Sequence, residues 1–202
     1  TLTVDRNLVE EFKGAGYQYV DQLSELKSVK TDAPLLGLFA DKGMPWALDS
    51  VNQTRLPKLA KAAIRQLEND KGYFLLIEAS QIDWAGHSND IGSAMAEMHD
   101  LAVTLEWLEG YLESHPDTLM VVTADHSTGG LTLAANGEYR WEPAPLHAIN
   151  TSVTAMIRHL IDNVDEAAFR LAYIEAQLGF TLTQAEQETV LAMDMTAKTR
   201  AL

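Results

Sequence analysis

Two runs in this chain are apolar along their whole length and end where charge begins. Gly72-Tyr73-Phe74-Leu75-Leu76-Ile77 stops at Glu78, and Leu119-Met120-Val121-Val122-Thr123 stops just before Asp125-His126. Runs of strand length without polar alternation describe strands covered on both faces. Pro34 to Ala40 has the same design and stops at Asp41-Lys42-Gly43, and Tyr17 to Val20 reads as a short strand. Helical spacings alternate with these runs: Leu8, Val9 and Phe12, closed by Gly14 and Gly16; then Ala60, Ala63, Ile64 and Leu67; then Met95, Met98, Ala102, Leu105 and Leu112. This alternation predicts an α/β fold, a mostly parallel sheet with helices on both faces. Ligands in such sheets gather at the carboxyl ends of strands.

Beyond about residue 130 the character changes. Gly137, Pro143 and Pro145 mark loops, and helical patterns follow: a face of Val153, Met156, Ile157 and Leu160, a helix from Phe169 to Leu178 closed by Gly179, and a capping box of Thr183 and Glu186 opening the last helix. The expected division is an α/β body over residues 1–135 and a mostly helical insert over 136–202.

The strand ends carry the chemistry. Glu78, then Asp83 and His87, then the separate pair Asp125-His126 place carboxylates and imidazoles where buried strands meet solvent. Carboxylate plus imidazole, delivered twice, is the donor set a site for two divalent cations needs. The spacing of Asp83 and His87 puts both on one face if the segment is helical. Glu78 points elsewhere, and a separate carboxylate suits a harder cation such as Mg²⁺. Ser127-Thr128-Gly129-Gly130 lets the backbone turn away tightly after His126. The bland alternative is that these are solvated loop residues, since acidic residues at strand ends often are.

Charge narrows the partners. Fifteen basic against 29 acidic residues give a formal net charge of −14, which argues against non-specific nucleic-acid binding or docking on anionic membranes. No apolar run reaches the length of a membrane-spanning helix. An anionic substrate would need bound cations to invert the local field. The chain has no cysteine, which removes disulfides and thiol chemistry. It begins at Thr1 with neither Met nor a signal peptide, so a processed chain or a piece of a longer one is expected.

The stretches "LLIEASQIDWAGHSND" and "DTLMVVTADHSTGGLT" resemble the alkaline phosphatase family, and "DRNLVEEFKGAGYQYV", "LLGLFADKGMPWAL" and "GEYRWEPAPLHAI" resemble its large-insert bacterial, marine-type branch. The resemblance covers nearly the whole chain as a central portion of the family pattern. It implies a three-layer α/β/α sandwich and hydrolysis of phosphate monoesters with two Zn²⁺ and one Mg²⁺. It further implies that Asp83 and His87 are ligands of a first zinc, Asp125 and His126 of a second, and Glu78 of the magnesium. Trp84 falls at a position that tunes the phosphate pocket and varies among Lys, His and Trp in the family. A periplasmic or secreted location and a homodimer or monomer follow from the resemblance alone.

Departures from the pattern matter equally. The family's nucleophile is a Ser in an Asp-Ser-Ala context at the start of a helix. The only Asp-Ser here is Asp49-Ser50, followed by Val51-Asn52-Gln53-Thr54 after a segment that already matches a later part of the pattern. It is set aside, so no catalytic nucleophile is recognisable in this chain, and the isolated chain is expected to be inactive. The phosphate-gripping Arg, the bridging Asp and another magnesium ligand lie upstream in the family, and the third zinc His lies downstream. His147 lacks the Thr-Gly that follows that His and reads as a packing or surface residue. His99 is expected to pack on the apolar face of the long helix, His115 to sit at its end, and His159 on a helix surface. Met95, Met98 and Met156 are expected in the core. Two alternatives stay open: a phosphodiesterase or phosphomutase of the same superfamily, or a non-catalytic metal-binding module.

Overall fold

The computed structural model describes residues 6–50, 54–133, 137–163 and 167–193. The chain forms two compact units, one from Thr1–Pro45, Thr54–Ala79 and Asp100–Asp117, the other from Trp46–Gln53, Ser80–His99 and Thr118–Leu202.

The first unit opens with α1 (Leu8–Gly14), capped by the Asn7 side chain, which accepts from the Glu10 amide at 3.2 Å. Phe12 on α1 packs edge-on against Tyr17, with ring centroids 4.9 Å apart. β1 (Gln18–Val20) and β2 (Leu35–Gly37) pair in parallel with Tyr19 opposite Leu36. β2 is shorter than the apolar run that predicts it. Val20, Leu26 and Ala62 form the core, with Leu23, Val29, Leu35, Phe39 and Leu59 against it. Ala62 comes from α2 (Leu56–Leu67), whose predicted spacing holds: Ala60 and Ile64 are buried.

Neither of the two long apolar runs pairs as a strand among the described residues. Phe74 and Leu76 are 87% and 78% exposed, whereas Tyr73, Leu75 and Ile77 are half-buried. Leu119 is 85% exposed and Val121 75%. The expectation of fully buried strands is therefore corrected. An apolar run specifies that both its faces want cover, and the described residues supply no neighbouring strand to provide it.

The long helix α4 (Ile91–Ser114) brings a second correction. Its buried stripe is polar: Ser93, Glu97, Asp100 and Thr104, at helical spacing. Met95, Met98 and His99, expected inside, are exposed. The carboxylates are buried because they serve as acceptors for loop backbone. Glu97 takes the Ala47 amide at 2.8 Å within the second unit, and Asp100 takes the amides of Arg55 and Leu56 at 3.0 and 3.1 Å within the first. Without these acceptors the loop amides would be buried unsatisfied, which costs their full desolvation penalty.

In the second unit, α5 (Val153–Asn163) buries Met156 and Leu160 as predicted. Its first turn is held by two carboxylates. Asp49 accepts the amide and hydroxyl of Ser152 at 2.8 and 2.6 Å, and Asp90 accepts the Val153 amide at 2.8 Å. The α6 helix (Ala167–Leu178) ends at Gly179, and Tyr173 on it stacks on His159 at 4.2 Å. The α7 helix (Gln184–Leu191) opens with the predicted capping box: the Thr183 amide donates to Glu186 at 2.8 Å, and Thr183 Oγ1 accepts the Glu186 amide. No helix among the described residues is long and apolar enough to cross a membrane.

Candidate functional site

Four of the five proposed ligands lie in the second unit, on a short helix and one loop. The helix is α3 (Gln81–His87). Asp83 in its first turn and His87 in its last suit the helix dipole, and their spacing places them on one face. Asp83 Oδ2 lies 3.5 Å from His87 Nε2.

The loop follows Asp125. Asp125 Oδ1 accepts the His126 amide at 3.1 Å, and its Oδ2 stands 3.4 Å from His126 Nε2. Gly129, at φ +80°, then turns the chain back against α3. The approach is backbone to backbone: a Cβ on Gly129 would stand 2.2 Å from the Gly86 carbonyl oxygen, and one on Gly86 would stand 2.9 Å from the Thr128 carbonyl oxygen. Only glycine at both positions allows this contact.

That contact delivers Thr128, which joins the two pairs. Its hydroxyl donates to Asp83 Oδ1 at 2.5 Å, and its oxygen lies 3.1 Å from His126 Nδ1. His126 Nδ1 is itself 4.0 Å from Asp83 Oδ1. Sequence reasoning saw Thr128 only as part of a turn. The available signal was a hydroxyl two residues after a ligand-type His, in a loop that glycines allow to fold back.

The arrangement is two carboxylate–imidazole pairs linked through one hydroxyl. No group of three or more metal-capable side chains is brought together among the described residues. Each pair nevertheless fits one edge of a cation's shell: two donors about 2.1 Å from a tetrahedral ion stand about 3.4 Å apart. The side chains are open to solvent, with Asp83 the most covered of the four.

Glu78 belongs to the first unit and is exposed. Trp84 follows Asp83 on α3 and is 43% exposed. Asp49-Ser50 has a structural use for its Asp, whose two oxygens are taken by Ser152. His147 sits in a 3₁₀ turn over Ala144–Ala148 and is exposed. His115 is at the end of α4, stacked on Tyr111 at 3.8 Å. The cleft in the first unit lined by Tyr17, Phe39, Leu59 and Leu67 contains none of the candidate ligands.

Comparison with known proteins gives the setting. The family model described as alkaline phosphatase matches residues 2–198. The chain is 42% identical over 188 residues to alkaline phosphatase 3 of Bacillus subtilis, covering 92% of this chain and 40% of that protein. It is 30% identical to the repressible alkaline phosphatase of Saccharomyces cerevisiae, covering 94% of this chain and 39% of that one. The solved structure of a cold-active alkaline phosphatase from Shewanella superposes with a TM-score of 0.81 at 43% identity, over 90% of this chain and 45% of that chain. The chain thus spans less than half the length of these relatives.

Proposed function

The chain belongs to the alkaline phosphatase family, and on that premise we propose that it supplies part of the metal centre of a hydrolase acting on phosphate monoesters. Asp83 and His87 would hold one zinc ion, Asp125 and His126 a second, and Glu78 a magnesium ion. Bound cations supply charge compensation to the transferring phosphoryl group, which an acidic protein needs before it can admit an anion. The chain's own residues provide donors, orientation and an open approach. Trp84, beside Asp83, would line the phosphate pocket.

The observation that carries this reading is the pair of carboxylate–imidazole edges, at 3.5 and 3.4 Å, tied together by Thr128. Simple exposed ion pairs would need neither the second pair nor the glycine-only docking of the loop. The same reading includes the three-layer sandwich, the helical insert over residues 136–202, a periplasmic or secreted location, and small phosphate esters as substrates of a monomer or homodimer.

Zinc titration of the chain, followed by the imidazole signals of His87 and His126, tests the proposal. Both should respond, and the response should vanish at His87 in Asp83→Ala. Each pair offers two protein donors where catalytic zinc usually has three, so binding should be weak. Zinc shifts confined to His99, His115, His147 or His159 would overturn the assignment.

A further inference from the structure

We propose that Thr128 is a positioning residue that fixes His126 in its Nδ1–H tautomer and holds Asp83 in place, so that one hydroxyl sets the donor atoms of both pairs. The proposal rests on the metal reading above and extends it to a residue that would touch no metal.

Proton counting leads to it. A threonine hydroxyl has one proton to give and lone pairs to receive with. Its oxygen lies 2.5 Å from Asp83 Oδ1 and 3.1 Å from His126 Nδ1. An ionised carboxylate only accepts, so the hydroxyl proton goes to Asp83. The hydroxyl can then only accept from the imidazole, so Nδ1 carries the ring proton. In a neutral imidazole the remaining lone pair is on Nε2. Nε2 is the atom that faces Asp125 Oδ2 at 3.4 Å, across the edge where a cation would fit.

Asp83 is served by the same hydrogen bond. With Oδ1 engaged by Thr128, Oδ2 is the oxygen turned toward His87 Nε2 at 3.5 Å. The Thr128 hydroxyl is itself held by the backbone contact between Gly129 and Gly86. A hydrogen bond from the second nitrogen of a ligating His is the usual way its tautomer and orientation are set, and losing one commonly weakens metal affinity about 10–100-fold.

The test uses long-range ¹H–¹⁵N spectra of the histidine rings, which read the tautomer directly, at a pH above the ordinary histidine range and during Zn²⁺ titration. The metal-free wild type should show His126 as Nδ1–H. Thr128→Val, which keeps the shape and removes the hydroxyl, should lose that preference and weaken zinc binding at His126 about tenfold or more. Thr128→Ser should restore both. A Thr128→Val protein with unchanged tautomer and zinc affinity, alongside an Asp83→Ala protein that has lost zinc at His87, would overturn this inference and leave the metal reading standing. A wild type whose His87 and His126 ignore zinc would overturn the metal reading and this inference with it. Should Thr128→Val fail to fold, the wild-type spectrum decides: an Nε2–H His126 overturns the proposal.

Discussion

Asp100 and Arg55 meet twice in the first unit: the Asp100 carboxylate accepts the Arg55 amide at 3.0 Å and lies 3.5 Å from its guanidinium Nε. Both residues are nearly fully buried, at 2% and 5% exposure. The same carboxylate accepts the Leu56 amide, so it satisfies the first turn of α2 while compensating a buried cation. Removing it takes one carboxylate away from a buried guanidinium and leaves the Arg55 and Leu56 amides without this acceptor. Asp100→Ala should destabilise the chain by about 3–5 kcal/mol, read as a shift in the urea midpoint at unchanged slope. A loss under about 1 kcal/mol, the range of exposed ion pairs, would contradict this role.

Gly129 and Gly130 offer a matched pair of substitutions. Both have positive φ, +80° and +67°, but only at Gly129 does an added Cβ strike backbone. Gly130→Ala should therefore cost only the left-handed strain, about 1–2 kcal/mol. Gly129→Ala adds the overlap with the Gly86 carbonyl and should push the loop off α3. The expected result is a larger loss of stability and loss of the zinc response at His126, with Gly130→Ala keeping that response. Equal behaviour of the two variants would show that the backbone contact does not hold the loop.

Phosphoryl transfer requires a nucleophile held in line with the leaving oxygen, and charge compensation alone does not supply that alignment. Asp49-Ser50 is the only sequence candidate, and its Asp is committed to Ser152. Residues 1–202 alone should show no turnover of an aryl phosphate above a metal-salt background at alkaline pH. Turnover abolished by Ser50→Ala would show that Ser50 is the nucleophile after all.

Tyr111 predicts the alkaline side of the stability profile. Burial pushes its phenol above the ordinary value of 10.0, and hydrogen bonds with Tyr73 and Glu68 push it further in the same direction. The Tyr73 hydroxyl lies at 3.1 Å and the Glu68 carboxylate at 2.7 Å, with His115 stacked on the ring. A phenol whose folded pKa is raised contributes stability that is full below the unfolded pKa and lost as pH rises past it. Stability should thus fall above about pH 10, and Tyr111→Phe should flatten that fall. An unchanged alkaline limb in the variant would rule out Tyr111 as its source.

Much of the local structure was legible because local chemistry dictates it. The Thr183–Glu186 capping box, the Gly179 stop and the apolar faces of α2 and α5 are decided within a turn or two of chain, where periodicity and caps act. The shared face of Asp83 and His87 was legible too, because it needs only a helix. Periodicity misled where burial depended on a distant partner. Met95 and Met98 looked like core, yet α4 buries Ser93, Glu97, Asp100 and Thr104 instead, and Glu97 and Asp100 there accept amides from sequence-distant loops. The runs after Gly72 and Leu119 announce a need for cover without saying what provides it. Thr128 shows the limit most plainly: its bond to Asp83 spans 45 positions of sequence. No local pattern encodes that bond. It exists because two glycines let two backbones touch, and that is a property of the folded chain.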